Sequence, residues 1–264
     1  MRLIVFAFIV ALASLGQTQD WAKKRLADSP RHQEWVELKH GSRTLKAFVV
    51  YPEKKEKASV VVVIHEIMGL TDWVQSVADR LAESGYIAIA PDFLSEMAPN
   101  KGRTTDFEDV GKAREAVSGL SPAQVTADLN ASVDYGRKIP SANGKVAVGG
   151  FCWGGTQAFR YATQRNDISA AFVFYGTGPT AASDIEKIKA PVYGFYGGND
   201  NRVNATIPDS EKAMKAAGKI FEPVIYDGAG HGFMRAGEAP DASADNKKGF
   251  EAGWKRWLEL LGKI

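Results

Sequence analysis

The segment Gly150–Gly154 holds the single cysteine of the chain, Cys152, between two flanking glycines. It follows a strand-like run at Lys145–Gly149. Glycines two residues either side of a nucleophile permit a very tight strand-to-helix turn, where a Cβ would collide with neighbouring backbone. A helix after the turn would direct its N-terminal amides at the sulfur and favour the thiolate. The spacing therefore predicts a nucleophile elbow, whereas a small buried apolar residue is the alternative reading of a lone cysteine.

An acid and a histidine follow in the order that such an elbow requires. The expected strand Val192–Tyr196 leads into a loop with Asp200, and the expected strand Phe221–Tyr226 leads into a loop with His231. Loops at the carboxyl ends of parallel strands share one edge of the sheet, so these side chains can meet the sulfur there. We expect His231 to accept the thiol proton and Asp200 to fix the imidazole tautomer. Ordinary roles in turns are the alternative for both residues.

A third loop supplies a backbone amide and a carboxylate at the same edge. The β-branched run Ser59–Ile64 leads into His65, Glu66 and Ile67. The backbone N–H groups of Ile67 and Trp153 are therefore the candidates for an oxyanion hole. A carboxylate beside a thiol opposes thiolate formation by like-charge repulsion, unless it takes the proton itself. Glu66 is thus expected either to keep the resting sulfur neutral or to act as its immediate base.

Strands and helices alternate along the chain, which predicts an α/β fold with a mostly parallel, doubly wound sheet and helices on both faces. Strands are expected at Glu34–Leu38, Leu45–Tyr51, Ser59–Ile64, Tyr86–Ala90, Lys145–Gly149, Ala170–Tyr175, Val192–Tyr196 and Phe221–Tyr226. Helices are expected from a cap at Asp72 to a stop at Gly85, at Val125–Arg137, after the elbow, near Ser210–Ala217 and at Asn246–Leu261. The stretch Asp92–Gly119 interrupts this rhythm and is expected to form a loop and a short helix over the active-site end of the sheet.

The first sixteen residues have the pattern of an export signal. Arg2 precedes the apolar run Leu3–Leu15, small residues occupy its end, and polar residues follow without a stop-transfer pattern. An uncleaved tether or a short membrane anchor is the alternative. After this segment we expect a lead-in over residues 17–44, with Trp21–Glu34 loosely attached, and a single domain over residues 45–264. The predicted location is secreted or periplasmic.

Composition excludes several classes of protein. The 264 residues are 45% hydrophobic and 24% charged, as in ordinary globular domains. The formal net charge is +2, and removal of residues 1–16 with Arg2 would leave +1, so a nucleic-acid partner is not expected. One cysteine cannot form an internal disulfide. The glycines of segment 228–232 lack the helix and spacing of a phosphate loop, which excludes nucleotide binding. We expect no metal or cofactor, and a monomer.

Five segments in this order resemble the dienelactone hydrolase family of the α/β-hydrolase fold, from about Leu45 to the C-terminus. They are His65 to Leu70, Pro91 to Leu94, Asn143 to Gly155 with the elbow, Gly198 to Asp200, and Gly230 to Arg235. The resemblance implies a triad of Cys152, His231 and Asp200. It also implies that Glu66 contacts the thiol, is displaced when an anionic substrate binds, and then accepts the thiol proton. Arg235 matches the family arginine that pairs with the substrate carboxylate, a task suited to its planar donor fork.

The expected function is hydrolysis of a small-molecule lactone or ester, dienelactone-like and anionic, through an acyl-enzyme on Cys152. The second substrate-binding arginine of the family has no motif-based counterpart, although Arg103 and Arg114 lie in the interrupting stretch. A general carboxylesterase or thioesterase is the alternative activity. The alternative that is not an enzyme is a catalytically silent binding module. Such a module would have no need for reactive side chains on four separate loops.

Overall fold

One eight-stranded sheet runs through residues 19–264, the part of the chain that the computed structural model describes. Its strands are β1 (Gln33–His40), β2 (Arg43–Val50), β3 (Ala58–Ile64), β4 (Ile87–Asp92), β5 (Ala142–Phe151), β6 (Ala171–Phe174), β7 (Val192–Gly197) and β8 (Phe221–Tyr226). Their spatial order is β1-β2-β4-β3-β5-β6-β7-β8. β2 is antiparallel to β1 and β4, and the other neighbours are parallel. The mostly parallel sheet predicted from the alternation is confirmed.

Helices cover both faces of this sheet. They are α1 (Asp20–Asp28), α2 (Asp72–Glu83), α3 (Val110–Ser118), α4 (Pro122–Lys138), α5 (Trp153–Ala162), α6 (Ala182–Ile185), α7 (Asn201–Asn204), α8 (Ile207–Ala216), α9 (Phe233–Ala236) and α10 (Ala244–Leu261). The buried strand β3 alternates between two cores. Val60 and Val62 belong to the core that α4 and α5 cover, and Val61 and Val63 to the core that α2 and α10 cover. A continuous β-branched run is therefore what a strand buried on both faces requires.

The stretch Asp92–Gly119 contains two short 3-10 turns (Pro99–Lys101 and Thr104–Asp106) followed by α3. Its anchor is the buried carboxylate of Asp92, which accepts hydrogen bonds from the Thr104 hydroxyl at 2.7 Å and the Thr104 N–H at 2.9 Å. The same hydroxyl accepts from the N–H of Leu70 at 3.0 Å, in the loop after β3. The expected loop and short helix are thus fixed to the carboxyl end of the sheet.

The prediction that Trp21–Glu34 is loosely attached is wrong. Most of this segment forms α1 and the start of β1, and Ala22 on α1 is fully buried. The buried carboxylate of Asp79 on α2 pairs with Arg25 at 3.1 Å and with Arg31 at 2.8 Å. The helix is thus held by these ion pairs and by Ala22, with Trp21 and Leu26 packed against the same core. The sheet therefore begins at β1, before residue 45.

Two smaller expectations also differ. Thr71, not Asp72, is the N-cap of α2, and the side chain of Gln19 accepts a hydrogen bond from the N–H of Trp73 at 2.8 Å. Pro91 lies inside β4 and does not end it. The pairing of β4 with β3 stops at Ile89, so the missing N–H of the proline removes no bond on that side.

The predicted signal, residues 1–16, lies outside the described residues. Within residues 19–264, none of the helices has the length and apolar character that crossing a membrane requires.

Candidate active site

The elbow at Cys152 is formed by the end of β5 and the start of α5. Cys152 has φ of 55°, in the region that side chains rarely adopt, and it is the N-cap of α5. A Cβ on Gly150 would lie 2.0 Å from the carbonyl oxygen of Gly154, and one on Gly154 would lie 2.4 Å from those of Ile64 and His65. Both flanking glycines are therefore required by backbone contacts, as the sequence predicted.

His231 and Asp200 meet at the same edge of the sheet. The imidazole Nδ1 lies 2.5 Å from Asp200 Oδ2, and the Asp200 side chain is almost fully buried. Asp200 Oδ1 accepts from the N–H of Val203 at 3.4 Å. Hydrogen bonding to the Cys152 sulfur, and also to Asp200, raises the pKa of His231 to about 9, against the effect of burial. At neutral pH the ring is therefore protonated and donates from Nδ1 to Asp200.

A cavity of about 240 Å³ opens at the sulfur. It is lined by Ile67, Cys152, Trp153, Thr156, Tyr175, Thr177, Arg202 and Val203. The backbone N–H groups of Ile67 and Trp153 donate to no protein group within residues 19–264. Both candidate oxyanion donors thus border the space in which the reacting carbonyl would sit.

His65 joins the two sides of this candidate oxyanion hole. Its ring stacks on the indole of Trp153 with centroids 5.4 Å apart, and its Nδ1 lies 2.8 Å from the carbonyl oxygen of Glu66. Complete burial lowers the pKa of His65, so the ring is neutral and Nδ1 donates to that carbonyl. The contact connects the loop after β3 with the first turn of α5.

The carboxylate of Glu66 is engaged by Arg235. Arg235 Nε donates to Glu66 Oε2 at 2.9 Å, and the Glu66 side chain is only 5% exposed, against 31% for Arg235. The hydroxyl of Tyr175 lies 3.5 Å from Glu66 Oε1. Burial, followed by the charge of Glu66, raises the pKa of Tyr175 well above its ordinary value, so this hydroxyl keeps its proton and donates. The carboxylate that pairs with Arg235 is therefore a buried one.

A larger cavity of about 610 Å³ lies beside Arg235, bordered by the stretch after β4. Its lining residues are Gln19, Met68, Thr71, Asp72, Thr104, Thr105, Phe107, Asp109, Val110, Ala113, Arg114 and Arg235. Of the two further arginines considered from the sequence, Arg114 borders this cavity. Arg103 does not, because its guanidinium lies over the ring of Trp35, 3.8 Å from the ring centroid, at another depression.

Sequence reasoning missed Tyr175, Thr156, Thr177 and Arg202. Tyr175 follows β6 directly, and it has φ of 41° and a ring centroid 5.0 Å from that of His231. Its position at the end of the predicted strand Ala170–Tyr175 was a usable signal, because the ends of parallel strands share one edge. Thr156 and Arg202 follow the elbow and Asp200 closely, but no residue pattern distinguishes them.

The comparisons with known proteins show the family and the fold of the chain. The chain matches the model of the dienelactone hydrolase family over residues 45–264. The chain belongs to this family. Members are carboxylic ester hydrolases, so the protein is a dienelactone hydrolase-like hydrolase with the α/β-hydrolase fold.

Individual relatives cover most of the chain. A protein from Methylorubrum extorquens, named as a candidate carboxymethylenebutenolidase, is 32% identical over 232 residues, which is 83% of this chain and 77% of the relative. A protein of the same name from Escherichia coli K12 is 33% identical over 211 residues, 76% of this chain and 75% of the relative. The crystal structure of a candidate dienelactone hydrolase from Klebsiella pneumoniae superposes with a TM-score of 0.76 at 25% identity, covering 89% of this chain and 99% of that chain.

Proposed function

We propose that this dienelactone hydrolase family member cleaves a carboxylic ester or lactone through a covalent acyl-enzyme on Cys152, and that its substrate carries an anionic group. The observation that carries the proposal is that His231 interacts with both the Cys152 sulfur and the Asp200 carboxylate. The names of the relatives make a carboxymethylene butenolide the first substrate to test. We further propose that the protein is exported and acts as a monomer.

The chemistry begins with the proton of the Cys152–His231 pair. Because the pKa of His231 is about 9, its ring already holds a proton at neutral pH. The Cys152 thiol therefore gives its own proton to the Glu66 carboxylate, and the neighbouring imidazolium stabilises the resulting negative sulfur. The sulfur attacks the carbonyl carbon, and the backbone N–H groups of Ile67 and Trp153 stabilise the resulting oxyanion. Collapse breaks the C–O bond, and the leaving alkoxide takes the proton from His231. Neutral His231 then removes a proton from water, and the hydroxide hydrolyses the thioester.

The Glu66–Arg235 pair supports an anionic substrate. Arg235 is a cation that lines the large cavity. When no substrate is bound, its guanidinium forms an ion pair with the Glu66 carboxylate. A substrate carboxylate can replace Glu66 as the partner of Arg235, since a guanidinium binds a planar carboxylate with two parallel hydrogen bonds. The displaced Glu66 carboxylate would then be free to accept the thiol proton of Cys152. Arg114 on the same cavity wall would add a second positive charge for the substrate.

The test compares substrates and variants of the purified protein. Hydrolysis of p-nitrophenyl acetate and of a dienelactone is measured before and after iodoacetamide, together with the variants Cys152→Ala and Asp200→Asn. We expect turnover of both substrates, its loss on alkylation, and a thioester on Cys152 detected by mass spectrometry of the quenched reaction. Asp200→Asn should reduce kcat by about 10³- to 10⁴-fold, as loss of the group that orients a catalytic histidine does elsewhere.

The outcomes separate the competing functions. Turnover of the simple ester but not of the lactone would indicate a general carboxylesterase or thioesterase. Retained turnover in Cys152→Ala would contradict a sulfur nucleophile. No turnover of either substrate, with an unreactive Cys152, would indicate a binding module. Arg235→Met should weaken carboxylate-bearing substrates more than neutral ones, and equal losses would refute its assigned role.

A further inference from the structure

Arg202 borders the cavity of the nucleophile and has no partner there. It is the second residue of α7, directly after the loop that carries Asp200, and its side chain is exposed. It makes no hydrogen bond or ion pair with its guanidinium within residues 19–264, although it lines the same cavity as Cys152. Arg235 differs, because Glu66 neutralises its charge.

The remaining walls of this cavity leave the charge of Arg202 unbalanced. They come from apolar, aromatic and hydroxyl-bearing residues, and no carboxylate lines the cavity. Asp200 lies two residues before Arg202, but its oxygens are directed to His231 and to the N–H of Val203. A guanidinium with no carboxylate partner in the cavity attracts an anionic group.

Two threonines that line the same cavity supply a hydrogen-bond donor. The hydroxyls of Thr156 and Thr177 lie 3.2 Å apart, and the Thr156 hydroxyl also accepts from the N–H of Thr177 at 2.9 Å. The contact between the hydroxyls uses one of their two protons. The other proton is available to a group inside the cavity, and a carboxylate oxygen is a strong acceptor for it.

We infer that Arg202, with the Thr156–Thr177 hydroxyl pair, forms a second anion-binding subsite on the nucleophile side of the active site. The substrate is then a dicarboxylate derivative, with one carboxylate facing Arg235 in the large cavity and a second facing Arg202 in the cavity of Cys152. This inference rests on the proposed ester or lactone hydrolysis. It specifies further that the substrate carries two negative charges. Arg202 is a specificity residue, because it selects the substrate without taking part in bond breaking.

The test uses two p-nitrophenyl esters with acyl chains of the same length, the butyrate and the hemisuccinate, which differ in a terminal carboxylate. The measured quantity is the ratio of kcat/KM for the hemisuccinate to kcat/KM for the butyrate. Arg202→Met should lower this ratio about 2- to 5-fold, the effect of losing an ion pair at an exposed site. Arg202→Lys should give an intermediate ratio, because it keeps the charge and loses the planar fork.

Lys212→Met is the matched control, since it removes an exposed cation from α8 that lines neither cavity. Its ratio should equal that of the wild type. A ratio that is unchanged in Arg202→Met, or that falls equally in Lys212→Met, would overturn the subsite while leaving the hydrolase proposal intact. A ratio that falls in Arg235→Met but not in Arg202→Met would overturn the subsite as well. Turnover of neither ester by the wild-type protein would remove the proposed function and the subsite together.

Discussion

Gly154→Ala tests whether the contact between the elbow and the loop after β3 sets the geometry of the active site. The added Cβ would lie 2.4 Å from the carbonyl oxygens of Ile64 and His65, and 2.8 Å from the carbonyl carbon of Ile64. Real Cβ atoms essentially never come within 3.0 Å of such atoms, so the two segments must separate by at least 0.6 Å. The groups in the way are backbone atoms, which no rotamer change can remove.

The expected loss follows from what these segments carry. Ile67 follows the displaced carbonyls by two or three residues, and Trp153 directly precedes the substituted position. Separation would therefore pull the two candidate oxyanion donors apart. A donor of this kind contributes about 3–4 kcal/mol, and a misplacement of about 1 Å costs roughly 100-fold in rate. We expect kcat on p-nitrophenyl acetate to fall about 100-fold, and the free energy of unfolding to fall by about 1–3 kcal/mol from overpacking.

The assays are initial-rate kinetics and urea unfolding followed by circular dichroism. Gly119→Ala is the matched control, because a Cβ there would lie 3.6 Å from the nearest atoms, an ordinary contact, and far along the chain from the elbow. It should leave kcat unchanged. A Gly154→Ala variant with kcat within about threefold of the wild type would show that the elbow tolerates the separation, and the steric reasoning would fail.

Three further predictions concern charge. Cys152→Ala should return the pKa of His231 from about 9 toward its ordinary value near 6.5, measured by NMR titration of the ring. In the wild type, the stability from this protonation is present below about pH 6.5 and is lost as pH rises through about 9, so urea unfolding should show a smaller loss over that range in Cys152→Ala. Arg235→Met leaves the buried carboxylate of Glu66 unpaired and should lower the free energy of unfolding by about 2 kcal/mol, which Glu66→Gln in the same chain should partly restore. Asp79→Asn should cost about 2–3 kcal/mol in urea unfolding, since it removes the buried carboxylate that Arg25 and Arg31 share and leaves them only the exposed carboxylate of Glu83.

The parts of the site that the sequence predicted are those with local causes. The glycines around Cys152 are needed because a tight turn leaves no room for a Cβ at either position. The structure shows the backbone atoms that such a Cβ would contact. Asp200 and His231 were predicted because each follows a strand, and parallel strands end at one edge. The sheet itself followed from the alternation of β-branched runs with amphipathic segments.

The parts that the sequence did not reveal depend on distant partners. α1 is attached through Asp79, a carboxylate on another helix that no pattern connects with Arg25 or Arg31. The choice between Arg103 and Arg114 depended on where the stretch after β4 is anchored. Tyr175 was visible only as the last residue of a predicted strand, and its contact with Glu66 required the fold.

Backbone strain at the site is held by the sheet. Cys152 and Tyr175 both have positive φ, and they follow the neighbouring strands β5 and β6. The N–H of Cys152 donates to the carbonyl oxygen of Phe174 at 2.9 Å, and the N–H of Tyr175 donates to that of Phe195 at 2.8 Å. Each strained residue is thus tied to the next strand by a short hydrogen bond, and such conformations persist only where the surroundings over-determine them. The positions of the thiol and the tyrosine hydroxyl are therefore set by the three neighbouring strands β5, β6 and β7. The geometry of the candidate site thus depends more on the edge of the sheet than on the helices that cover the sheet.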